Sequence, residues 1–233
     1  ISITNKNNLF LNPIIPGNLA YIKEILGEYK EAEKIASNAL KISRKIGDKS
    51  KIIFILRILG SIYIKLSEFD KAKRALEEAL ILTEDCPDPS RKIGILYNLS
   101  SLYESLNQYD KATLFAKEDL ELTKKIGNEK FISQSYLNLG RIYLRTKEYE
   151  KSKNFLTMAK DIFEKFGYKL NLFETYLFLF LNPTLESSEK EKIKDKIFSI
   201  LEEKDYSFYY KSILKKEELD FINSLNFKEK ERI

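Results

Sequence analysis

Residues 98–103 read Asn-Leu-Ser-Ser-Leu-Tyr, and residues 138–143, forty positions on, read Asn-Leu-Gly-Arg-Ile-Tyr. The correspondence extends in both directions. Tyr29, Phe69, Tyr109 and Tyr149 fall at the same interval, followed three residues later by Ala32, Ala72, Ala112 and Ser152 and ten later by Ala39, Ala79, Asp119 and Ala159. Nine residues before each aromatic stand Ala20, Gly60, Ser100 and Gly140, and six before it Lys23, Tyr63, Tyr103 and Tyr143. The joints recur as Ile46-Gly47, Cys86-Pro87, Ile126-Gly127 and Phe166-Gly167. Four copies in register define an internal repeat, and a period of roughly 20–50 residues is the mark of an array built from one small unit.

Each unit reads as two helices. Leu56, Leu59, Gly60 and Tyr63 share one face of a first helix, and Phe69, Ala72, Leu76, Ala79 and Leu80 share one face of a second. Small residues at the Gly60 and Ala72 positions allow the two helices to approach, with the Tyr63-type ring filling the space beside them. Gly47, Gly127 and Gly167 suit the left-handed residue that closes a helix, and Asp88-Pro89 suits an N-cap followed by proline at the first helical position. Connections this short make neighbouring helices antiparallel. Composition agrees: 8 glycines and 5 prolines in 233 residues are too few for the many turns of a β-sandwich or barrel. The expected fold class is all-α.

The predicted organisation has residues 1–17 as linker or the remnant of an upstream unit, and 18–167 as four repeats. A degenerate fifth repeat over 168–204 has helices at 170–181 and 188–204 around a break at Asn182-Pro183. Residues 205–233 are expected to form capping helices and a tail, with Tyr206, Phe208, Tyr209 and Tyr210 sealing the end, the other reading being a docking point for another domain or subunit. A chain beginning with Ile1 is expected to be a piece of a longer protein.

Composition narrows the chemistry. Hydrophobic residues are 43% and charged ones 32%, a globular balance. The chain has no histidine, which removes the commonest general base and zinc ligand. One cysteine excludes an internal disulfide and fits a reducing compartment, so a cytoplasmic location is expected. Cys86, beside a joint, reads as packed rather than reactive. The net charge of +5 is spread without a basic stripe, so no nucleic-acid partner is expected. The most apolar run, residues 172–181, is interrupted by Glu174 and is about half the ~20 residues a membrane span needs, so no membrane association is expected. Adjacent carboxylates such as Glu77-Glu78, Glu202-Glu203 and Glu217-Glu218 diverge around a helix and cannot converge on a substrate. No phosphate loop, nucleophile elbow or metal signature occurs, and the chain is read as no enzyme, without cofactor or metal.

The segments Asn-Leu-Gly-Arg-Ile-Tyr, Asn-Leu-Ser-Ser-Leu-Tyr and Tyr-Asp-Lys-Ala at 109–112 resemble the tetratricopeptide repeat family. A forty-residue period exceeds the family's usual 34 or so and is similar to the long-helix variety of kinesin light chains and maltose-activator-like bacterial regulators. The resemblance implies a right-handed α-solenoid of antiparallel helix pairs whose first helices line a concave face. Lys23 departs from the expected tyrosine, and Asp119 from a small apolar residue. Asp119 is expected at a frayed edge where its carboxylate reaches water, the other reading being a groove-facing or lysine-paired group.

The resemblance also points to the candidate site. Asn18, Ile58, Asn98 and Asn138 form a ladder one position before the Leu-Gly pair. In the long-repeat proteins matching asparagines grip the main chain of a bound peptide, for which an amide has both donor and acceptor. A structural role, holding repeats in register, is equally open for Asn98 and Asn138. The remaining candidates are Arg57 and Ser61, Tyr97 and Ser101, and Gln134 and Arg141, with Glu104, Leu137 and Arg145 as groove neighbours. Arg57 and Arg141 would anchor a mildly acidic peptide. The carboxylate clamp of chaperone-binding relatives is expected to be absent, since Arg57, Ser61, Asn98, Gln134 and Asn138 keep few of its cations. The expected function is a non-enzymatic scaffold whose partner is a protein or peptide bound in the concave groove. The alternative is a sensory or regulatory module of a signalling or transcription regulator that binds a small ligand or signalling peptide.

Overall fold

The computed structural model describes residues 12–86 and 88–203, and over that span the fold is all-α. Among the described residues ten helices pair antiparallel into an α-solenoid. They are α1 (Ile14–Ile25) with α2 (Tyr29–Ile46), α3 (Lys49–Lys65) with α4 (Phe69–Thr83), and α5 (Ser90–Ser105) with α6 (Tyr109–Ile126). α7 (Glu129–Arg145) with α8 (Tyr149–Phe166), and α9 (Lys169–Leu181) with α10 (Ser187–Glu203), complete the set. The capping helices expected beyond residue 204 and their aromatic cluster lie outside the described residues, as does Pro87.

The small residues act as the repeat predicts. A methyl placed on Gly60 would sit 2.4 Å from a Leu76 methyl, and one on Gly140 2.6 Å from Leu156 Cγ, so α3–α4 and α7–α8 touch where side chains vanish. The third and fourth units place a serine on opposite sides of this contact. Ser100 on α5 donates to the Ala112 carbonyl at 3.0 Å, whereas Ser152 on α8 donates to the Gly140 carbonyl at 2.8 Å. Beside them Tyr103 stacks on Phe115 and Tyr143 on Phe155, with ring centroids 5.5 and 5.6 Å apart. Gly47, Gly127 and Gly167 are left-handed with φ of 75, 75 and 67° and close α2, α6 and α8.

Three expectations shift. The first helix begins at Ile14, inside the stretch 1–17 read as linker. Pro16 falls in its first turn, where an N–H has no helical acceptor, and Gly17 is buried because Ile55 and Phe54 press on it. α5 starts at Ser90, so Pro89 occupies the N-cap position. Asp88 still caps, accepting from the Ser90 N–H at 3.0 Å and its hydroxyl at 2.6 Å. Asp119 is not at a frayed edge: it is 1% exposed in the body of α6.

First helices of successive units touch one another: α1 meets α3, α3 meets α5, α5 meets α7 and α7 meets α9. They form the inner wall, and the second helices stand behind them.

Candidate functional site: the groove along the first helices

The first helices enclose a continuous groove of about 660 Å³ that runs from Tyr21 and Glu24 on α1 to Asn171, Glu174 and Phe178 on α9. Seven of the nine candidate residues line it: Arg57, Ser61, Tyr97, Asn98, Ser101, Gln134 and Arg141. Asn18 and Asn138 do not. Asn18 is exposed on α1 outside the groove. Asn138 is fully buried one layer behind it, where its Nδ2 donates to Ser100 Oγ at 3.1 Å and its Oδ1 accepts from Arg141 at 3.0 Å. Asn98 donates from Nδ2 to the Arg57 carbonyl at 3.0 Å, so it also ties its helix to the unit before. The ladder position is thus the seam between units, which explains why Ile58, wholly buried, can occupy it.

The two ends of the groove differ electrostatically. Arg141 on α7 lies between carboxylates from the units on either side: Glu104 on α5, at 3.0 Å, and Glu174 on α9, at 3.3 Å. Burial opposes its charge, but Glu104, the Tyr97 hydroxyl and Glu174 outweigh that and hold the guanidinium well above the ordinary arginine range. The expectation that Arg141 anchors an acidic ligand is therefore corrected: its charge is already answered by two carboxylates.

Arg57 on α3 is different. It makes no ion pair with any described residue, and its guanidinium lies 5.6 Å from the centre of the Phe54 ring. Its stem runs over Gly94, where an added methyl would come within 2.6 Å of Arg57 Cδ, and burial pulls its pKa below the ordinary value. Nearby, Glu24 occupies the slot that Glu104 holds two units later, but its partner there is the Ser61 hydroxyl rather than an arginine. Its second oxygen is buried without a partner, and burial raises its pKa despite Ser61, Lys65 and Arg57.

Between these ends the wall offers mixed polar groups. The Asn98 oxygen, the Ser101 hydroxyl and the Gln134 amide bond to no other described residue. Asp119 reaches the groove wall from α6, accepting from the Ser135 hydroxyl at 2.6 Å while its other oxygen has no partner, and burial pushes its carboxyl up to about 6. Glu24 and Glu174 were not among the candidates, and their signal lay in offsets of 37 and 33 residues between contacting groups, which a comparison at forty does not reveal. Asp119 lines the groove, as the second of its two sequence readings had it, with its partner Ser135 sixteen residues on.

Among the described residues no cluster of histidine, cysteine, aspartate or glutamate could hold a metal ion. No described helix is long and apolar enough to cross a membrane.

A wall of stacked first helices with a groove along it is the architecture of a helical repeat protein. Two family models, each described as tetratricopeptide repeat, match residues 13–85 and residues 93–124 and 133–165, together more than half of the chain. The chain belongs to the tetratricopeptide repeat superfamily. No curated protein is significantly similar in sequence. Among solved structures, a signal transduction ATPase with a tetratricopeptide repeat sensor from Pyrococcus horikoshii superposes with a TM-score of 0.68 at 19% identity, covering 92% of this chain and 34% of the other. A Rap protein complexed with competence and sporulation factor gives 0.72 at 16% identity, covering 97% and 64%. A Podosopora anserina chain described as a kinesin light chain with nearly identical repeats gives 0.62 at 14%, covering 83% and 96%. The chain thus spans about a third of the sensor ATPase and just under two thirds of the Rap protein.

Proposed function

We propose that this chain is a non-enzymatic interaction module that captures a peptide or helical segment of a partner protein in the groove of its first helices. The observation that carries this reading is the pairing of a half-buried cation that makes no direct ion pair with a described residue, Arg57, with unused main-chain-compatible groups on Asn98, Ser101 and Gln134 along one wall. Such groups bind a backbone without reading sequence, and a guanidinium already stripped of much of its water favours an acidic side chain or carboxylate. Arg141 serves the wall rather than the ligand. Asn98 has one of its two amide hydrogens engaged by the Arg57 carbonyl, so its oxygen, which bonds to no other described residue, is the group offered to a ligand N–H.

The test uses dodecapeptides selected by display against the full chain. Arg57→Met keeps the stem on Gly94 and removes the charge, and should weaken selected peptides about tenfold or more, the order of one charge-assisted hydrogen bond, with an unchanged melting temperature. Ser101→Tyr, which fills the groove, should abolish binding. Peptides that bind both variants like the parent would remove the groove as the site.

A sensory role is the second reading. It is favoured by the likeness to a sensor-bearing ATPase and to a Rap protein solved with a bound factor. It would require that a ligand alter the solenoid's curvature, so small-angle scattering with and without a selected peptide separates the two: identical dimensions favour the plain scaffold.

A further inference from the structure

We infer that the outer face of α1 is an interior joint of a longer array, built to receive the second helix of a preceding hairpin of the same class. The argument is a comparison of equivalent positions. Ile15, Leu19 and Ile22 on α1 are 46, 44 and 52% exposed. Forty residues later the same positions, Ile55, Leu59 and Ile62, are at most 3% exposed, and eighty later Ile95, Leu99 and Leu102 are at most 1%. In both of these units the three residues lie against the second helix of the unit before. Ile55, Leu59 and Ile62 share a core with Ala32, Ala36 and Ala39 of α2, and Ile95, Leu99 and Leu102 share one with Ala72, Ala75 and Ala79 of α4. α1 carries the same three large apolar residues with nothing described against them.

A terminal unit of a helical array ends in a polar outer face, because an uncovered apolar stripe costs solubility. α1 has kept the apolar side chains of an internal first helix. The established interfaces also define the occupant's chemistry: an amphipathic helix with alanines at about three- and four-residue spacing, like 32, 36 and 39, which lets the large residues of α1 close onto it. This inference is independent of what the groove binds.

The experiment has two arms. In the first, Leu19→Lys and Ile22→Lys in the parent chain are compared with Leu59→Lys by urea denaturation. An open face predicts that the two α1 variants leave the midpoint nearly unchanged while Leu59→Lys lowers it strongly. Equal losses would mean that residues 1–11 or a second copy already cover the face, and would overturn the proposal. In the second, residues 1–8 are replaced by a copy of residues 49–88, which keeps the forty-residue register and supplies the α3–α4 hairpin upstream. The extended chain should unfold at higher urea than the parent, and Leu19→Lys should cancel the gain. No gain, or sedimentation showing that the parent is a dimer dissolved by Leu19→Lys, would overturn the proposal.

Discussion

Asn138 donates its side-chain amide to the hydroxyl of Ser100, thirty-eight residues earlier and one unit away, at 3.1 Å. Both residues are fully buried, and the Asn138 oxygen accepts from Arg141, so the amide is a rivet between α5 and α7. Asn138→Ala should lower unfolding free energy by about 1–3 kcal/mol, the cost of leaving buried polar partners unmet. Peptide capture per folded molecule should be unchanged. Urea denaturation beside titration with a selected peptide checks both; weaker capture at full stability would return Asn138 to the ligand.

Arg141 should behave as a clamp between units. Arg141→Ala removes the guanidinium that joins Glu104 to Glu174, and breaking such a buried pair typically costs about 3–5 kcal/mol. Pairing Arg141→Ala with Glu104→Gln removes charge on both sides and should recover part of the loss. Denaturation of the single and double variants forms the cycle, and a single variant as stable as the parent would show that the network contributes nothing.

Asp119 predicts a pH dependence opposite to that of an ordinary paired carboxylate. Its pKa is raised by burial, against a partial opposing effect of Ser135, from an ordinary 3.8 to about 6. The folded state therefore holds the proton more tightly than the unfolded chain. The destabilisation is absent below about pH 4, grows as pH rises through that window and is complete above about pH 6, at roughly 3 kcal/mol as an order of magnitude. Asp119→Ala restores the residue found at 39, 79 and 159, and Ser135 can still donate to the Phe131 carbonyl. The variant should gain stability over the parent at pH 7 and little at pH 4. A constant difference across that range in pH-resolved denaturation would contradict the assignment.

The turns within hairpins contain a repeated strain. Gly27, Ser67, Asn107 and Lys147 stand forty residues apart, and all are left-handed, with φ between 56 and 76°. Only the first is glycine. Lys147→Gly should stabilise the chain by about 0.5–1 kcal/mol, and Gly27→Ala should destabilise it by about as much. Calorimetry reads both signs, and a loss on Lys147→Gly would mean that the lysine side chain contributes more than its backbone costs.

The architecture was legible because packing constraints recur with the period. Gly60 and Gly140 had to be small against Leu76 and Leu156, and the joints had to be left-handed, so each mark appears several times. The groove was legible to the same extent, since seven of the nine candidates follow from the first-helix register. What the register could not tell was the side of the seam on which a side chain acts. An amide at position 98 or 138 can face a ligand or the previous helix with the same neighbours in sequence. Contacts across the seam are also staggered, so that Arg141 meets Glu104 thirty-seven residues back rather than forty. The left-handed turns at Ser67, Asn107 and Lys147 escaped notice because no glycine marks them. Pro16 and Gly17 masked the start of α1, since breakers inside a first turn read as loop.

Hydrogen exchange of the full chain, free and saturated with a display-selected peptide, tests the central proposal most directly. Binding in the groove predicts new protection concentrated in α3, α5 and α7, around Arg57, Asn98 and Gln134, with α4, α6 and α8 unchanged. Protection confined to the second helices, or to the outer face of α1, would contradict it.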